Sequence, residues 1–143
     1  MTTNPLTKKM IYVSLLTNIV VLIPICSGLF VDAFWITETY GPSSPARSIL
    51  LSVYLSILIV SLGLLLFRRD PELVAPLFLV QVVYKLTTPF TVGSFTNPAV
   101  ISNIFIATLH MFTLRLIFNE MQGAASYPNT ALYQKDKKNS KAL

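Results

Sequence analysis

Five polar side chains stand inside stretches that are otherwise apolar: Asn18, Gln81, Lys85, Asn103 and His110. A lysine near the centre of a bilayer costs roughly 2.5–3.5 kcal/mol on insertion scales, so such a residue calls for a partner. One chemistry this set could carry is recognition of a carbonyl or anionic head group. Lys85 would donate, with Asn103, Gln81, His110 and Asn18 as its hydrogen-bonding neighbours. A plainer use is adhesion between helices, at roughly 0.6 kcal/mol for each hydrogen bond. A proton path through Lys85 and His110 is a third use, but no Asp or Glu lies at the centre of an apolar run to share it.

Spacing groups these residues. Gln81 and Lys85 are four apart with Thr88 close to the same stripe, and Asn103, Ala107 and His110 share another helical face. At the helical rise, Asn18, Gln81 and His110 fall roughly 12–14 Å from one membrane boundary, and Lys85, Asn103 and Ser52 roughly 20–22 Å from it. Side-by-side packing of the third and fourth apolar runs then brings Gln81 near His110 and Lys85 near Asn103, as two stacked polar layers. Asp32, at the outer end of the first run, is the nearest expected counter-charge for Lys85. The long lysine stem also allows the ammonium to reach outward toward the interface. The segment Gln81-Val-Val-Tyr-Lys-Leu-Thr-Thr-Pro-Phe-Thr-Val-Gly concentrates most of this chemistry.

The elements that must hold these groups follow from composition. Of 143 residues, 53% are hydrophobic and only 12% charged, about half the charge of a soluble domain. That excludes an ordinary water-soluble fold and a disordered chain alike. Apolar runs over about 10–31, 48–67, 73–90 and 98–118 are each long enough to cross the membrane. Before each run a small polar residue precedes a proline: Asn4-Pro5, Ser44-Pro45, Asp70-Pro71 and Asn97-Pro98. This is a helix cap followed by a first position where a missing N–H costs nothing. The expected fold is therefore an all-α integral membrane protein, an antiparallel bundle of four transmembrane helices. The bundle covers 1–122, and 123–143 forms a disordered, lysine-rich tail.

The connections differ. Arg68-Arg69-Asp70-Pro71-Glu72 is short enough to make the second and third runs a hairpin. Residues 32–44, with Trp35, Tyr40, Gly41 and Pro42, read as an interfacial loop with an aromatic anchor, and 90–97 as a tight uncharged turn. Pro24 is expected to bend the first helix, with Ser27 and Gly28 as slack beside it. Lys8, Lys9, Arg68, Arg69, Lys135, Lys137, Lys138 and Lys141 fall on one side, with Arg115 near that end of the fourth run. Arg47 stands alone on the other side with Asp32 and Glu38. This bias places both termini in the cytoplasm, with the plasma membrane as the expected location and an organelle membrane as the alternative. Lys8-Lys9, the first run and Val31-Asp32-Ala33 also resemble a cleavable signal peptide. The run exceeds the roughly 7–15 residues of a signal core, and it contains Asn18 and Pro24.

Several chemistries are excluded. One cysteine, Cys26, allows no internal disulfide and no thiol–disulfide exchange pair, and one histidine allows no bis-histidine haem site. His110 has no carboxylate at its depth for a hydrolytic triad, and five scattered glycines make no phosphate-binding loop. No cofactor, metal or enzymatic activity is expected. Ser48, Ser52 and Ser56, followed by Gly63, form a stripe of small residues suited to close helix approach. The expected partners are the lipid bilayer and a membrane protein docking on that stripe, not nucleic acid. The leading expectation is a non-enzymatic subunit, assembly factor or scaffold of a membrane complex. The alternative is a carrier or binding protein for an apolar, quinone- or lipid-like molecule with its polar head at Lys85.

Overall fold

The computed structural model describes residues 4–125, which form five helices joined by short connections, with no strand among the described residues. The helices are α1 (Pro5–Phe30), α2 (Phe34–Tyr40), α3 (Pro45–Phe67), α4 (Pro71–Val92) and α5 (Pro98–Ala125). Helices α1, α3, α4 and α5 are long and apolar enough to cross a membrane.

Each long helix begins at the proline that the capping pairs point to. Asn4 accepts from the Leu6 N–H, Ser44 from the Arg47 N–H and Asn97 from the Ala99 N–H. Asp70 departs from this pattern. Its backbone carbonyl accepts from Leu73 and Val74, while its carboxylate pairs with Arg68 at 3.1 Å. The helices outrun the charge-free runs because a charged residue in a first turn does not interrupt backbone hydrogen bonding. Lys8 and Lys9 lie inside α1, and Arg47 inside α3. Likewise α5 passes through Gly123 to Ala125. The lysines at 135, 137, 138 and 141 lie outside the described residues.

Two pairs dominate the packing, α1 with α3 and α4 with α5, and α1 joins the pairs by lying against α5. Helices α3 and α4 hardly touch although only Arg68-Arg69-Asp70 separates them, so the expected hairpin is a chain reversal without a packed interface. Contacting residues rise along one helix as they fall along its neighbour. Ser14 and Asn18 meet Thr113 and His110, and Phe78 and Lys85 meet Asn103 and His110 in reverse order. Neighbours therefore run antiparallel. The apolar core has two parts. Ile11, Leu15, Val74, Phe78, Leu114 and Ile117 fill one end, and Leu22, Cys26, Leu29, Ile36, Tyr54 and Ile57 fill the other.

Residues 34–40 form a helix rather than the expected loop. The chain reverses at Asp32, whose φ of 54° lies in the left-handed region, and the Ala33 N–H donates to the Gly28 carbonyl at 2.9 Å. This folds α2 back onto α1 at Gly28. A Cβ there would stand 2.6 Å from Trp35 Cζ2 and 2.7 Å from Ile36 Cγ1. Gly28 is thus the contact surface for α2, a role that its neighbourhood to Pro24 does not suggest. At the end of α4, Gly93 takes the left-handed conformation that closes the helix.

Candidate functional site

All five residues singled out from the sequence are buried, and four of them fall into two hydrogen-bonded groups. In the first, Asn18 on α1 is the centre. Its Nδ2 donates to Ser61 Oγ on α3 at 3.1 Å, and its Oδ1 lies 3.0 Å from His110 Nε2 on α5. Because the amide nitrogen is committed to Ser61, the oxygen must accept, so His110 Nε2 carries the proton. One turn away, Ser14 and Thr113 join α1 to α5 again at 2.8 Å. Phe78 on α4 stacks on the His110 ring, with centroids 4.5 Å apart and planes 12° from parallel.

Asn18 therefore ties three helices. Asn18→Leu keeps the volume but removes both bonds, and interhelical hydrogen bonds in membranes are worth about 0.6 kcal/mol, at most about 1.7 each. The expected loss is about 1–3 kcal/mol, measured as a lower midpoint in denaturing-detergent titration. An unchanged midpoint would make the triad incidental to stability.

The second group centres on Lys85. Its Nζ donates to Asn103 Oδ1 at 2.9 Å and sits 5.0 Å from the centroid of the Tyr84 ring. Asn103 Nδ2 donates to Thr88 Oγ1 at 3.3 Å, and the Thr88 hydroxyl donates to the Tyr84 carbonyl at 2.9 Å. Lys85 is 4% exposed, so it does not reach outward to the interface. Two sequence-level expectations need correction. Asp32 is not its counter-charge: the Asp32 carboxylate pairs with Arg47 at 2.5 Å. Ser52 is not in this layer either. It faces outward and donates to its own helix at the Ser48 carbonyl, while Ser61, nine residues on, supplies the inward hydroxyl.

Gln81 is buried between the groups but does not bond to His110. Phe78 matches His110 as Lys85 matches Asn103, so each step along α4 corresponds to one step back along α5. That register places Gln81 level with Ala107, one turn from His110. Gln81 Nε2, the Tyr84 hydroxyl and His110 Nδ1 are buried without a hydrogen-bond partner. Around Lys85, Asn103 Oδ1 and Thr88 Oγ1 each take a bond, while the two remaining Lys85 N–H groups and Gln81 Nε2 have no partner.

Arg47 is the polar residue whose role spacing alone does not disclose. It is 6% exposed, donates to the Gly41 carbonyl at 2.7 Å and pairs with Asp32. It thereby clamps both ends of α2. Asn97 Nδ2 adds a bond to the Thr39 carbonyl at 3.0 Å, which ties the α4–α5 turn to the same cap. Burial raises the pKa of the Tyr40 phenol in α2, so it stays neutral where it packs edge-on against Tyr54. An apolar groove of about 390 Å³, open to the side, runs between α1 and α3 past Ile23, Cys26, Phe30, Leu51 and Leu55. Apart from the Ser27 hydroxyl and the Cys26 thiol its lining side chains are hydrocarbon. Among the described residues no cluster of three or more His, Cys, Asp or Glu could hold a metal ion. Compared with protein-family models, curated proteins and solved structures, the chain matches none.

Proposed function

We propose that this is a small, non-enzymatic multi-pass membrane protein that binds an apolar molecule by its polar head at the buried layer around Lys85. One observation carries the reading. Lys85 is almost fully buried, its hydrogen-bond acceptor is the neutral Asn103, and neither ion pair among the described residues involves it. A cation so placed is costly, and a head group rich in acceptors offsets that cost. The frame we propose is a four-span bundle in the plasma membrane with both termini cytoplasmic. Lys8, Lys9, Arg68 and Arg69 at one end of the helices support that orientation.

Lys85→Met separates binding from folding. Replacing a buried cation that lacks a counter-ion with an apolar side chain of similar length removes its desolvation cost but leaves Asn103 Oδ1 without its donor, and the two effects largely offset. The melting temperature should therefore stay within about 5 °C of the parent. Native mass spectrometry of the parent, extracted from its own membrane in mild detergent, should show a defined small-molecule mass that the variant lacks. A mass retained by a folded Lys85→Met protein would sink the reading.

A second reading, a subunit or assembly factor, is favoured by α3. Ser48, Ser52 and Ser56 face outward, and their hydroxyls bond back to the carbonyls of Ser44, Ser48 and Ser52. The face is small and internally satisfied, as close approach of another helix requires. Under this reading the same spectrum shows further polypeptides at fixed stoichiometry, lost when Ser52 and Ser56 become leucine.

A further inference from the structure

Resting on that reading of the Lys85 layer, we infer that the head group is a single carboxylate on a long apolar chain, a fatty-acid-like monoanion rather than a neutral quinone carbonyl. Asn103 Oδ1 is engaged by Lys85, and Thr88 Oγ1 by Asn103. Lys85 keeps two N–H groups, while Gln81 Nε2 and the Tyr84 hydroxyl are buried and unpartnered on the same helix. The ammonium, with the Gln81 amide one turn away on α4, matches a group with two oxygens and about four acceptor sites. An alcohol head brings no charge to set against the ammonium, and an amine head brings a like one.

Charge decides between acceptors. Arg47 is neutralised by Asp32, whereas Lys85 has no such partner among the described residues. One negative charge balances it; a phosphate monoester would overcompensate, and a quinone would leave the ammonium unbalanced in low dielectric. Depth removes the phosphodiester lipids. Helix α4 continues from Lys85 to Val92, so the layer lies about 10 Å below that helix end. A carboxyl group can reach it as the neutral acid, which a permanently ionised phosphodiester cannot do.

The ligand's chain would leave the layer on the side of α3, which shares few contacts with α4 and where Tyr54 and Ile57 belong to the same apolar cluster as Tyr84.

The test uses the full chain in dodecyl maltoside with palmitate carrying ¹³C at the carboxyl carbon, and with hexadecanol and decylubiquinone as competitors. Palmitate should give a bound carboxylate resonance whose shift stays constant as pH falls from 8 to 6, and neither competitor at equal concentration should displace it. Lys85→Gln should weaken palmitate binding by about tenfold or more, and Gln81→Leu by a smaller factor, while Lys85→Arg retains binding. Decylubiquinone binding as tightly as palmitate, and dependent on Lys85, would overturn the carboxylate but leave the head-group reading intact. Absence of Lys85-dependent binding by any of the three would overturn both. If Lys85→Gln fails to fold, the wild-type resonance decides: a carboxyl shift that titrates as it does in empty micelles refutes the inference.

Discussion

Gly28→Ala will loosen α2 from the bundle and lower stability by about 1–3 kcal/mol, the usual cost of overpacking a filled contact. The added methyl would stand 2.6 Å from Trp35 and 2.7 Å from Ile36. Trp35 is half-exposed and its ring can swing aside. Ile36 is fully buried, and the contacted atom is Cγ1, one bond from its Cβ, so the short α2 helix must move with it. Movement of α2 also takes the Gly41 carbonyl away from Arg47 and the Thr39 carbonyl away from Asn97. Gly28→Leu should therefore cost more than alanine and release α2 altogether. Limited trypsin digestion at Arg47, together with thermal denaturation in detergent, reports both effects. Gly63→Ala is the matched control, because nothing lies within 4 Å of a Cβ there. It should be neutral or stabilising by up to about 1 kcal/mol. Equal behaviour of the two variants would show that α2 is not held at Gly28.

Arg47→Ala should lower stability by about 2–3 kcal/mol, the range for a lost hydrogen bond to a charged group. The guanidinium is buried, and it joins the turn before α2 to the turn after it. Its partner matters less. Asp32 is 58% exposed, so water screens much of its pairing energy, and Asp32→Asn should cost well under about 1 kcal/mol. Asp32→Ala should fall between, because the backbone there is left-handed. Asparagine accepts that conformation, but alanine is penalised by roughly 1–2 kcal/mol. The expected order of melting temperatures is Asp32→Asn highest, then Asp32→Ala, then Arg47→Ala. An Asp32→Asn loss as large as that of Arg47→Ala would mean that the ion pair, rather than the bond to the Gly41 carbonyl, holds the cap.

Much of the site is readable one helix at a time. Asn18, Gln81, Lys85, Asn103 and His110 stand out because apolar runs make polar residues conspicuous, and all five are buried. The Lys85–Asn103 bond follows from antiparallel packing of neighbouring runs, and it is present. What is missed involves residues that look ordinary in sequence. Ser61 sits in the same helix as the conspicuous Ser48, Ser52 and Ser56, yet it alone of the four turns inward to Asn18. Helical rotation relative to the bundle axis separates them, and the serine stripe of α3 does not by itself say which of its faces turns inward. Gln81 and His110 are drawn together by depth estimates that differ from the real register by about one turn, and Phe78 fills the place.

Local chemistry thus settles the four long helices, their starting residues and the polar groups they carry. A cap followed by proline and a run of about 20 apolar residues is a property of adjacent positions. Only three-dimensional packing assigns Asp32 to Arg47 instead of Lys85, makes Gly28 the seat of α2 and leaves α3 nearly free of α4. Those outcomes depend on which faces meet after the chain has folded back on itself. Pairings such as Asn18 with His110 join residues far apart in the chain, and hydropathy along a single helix carries no record of its neighbour.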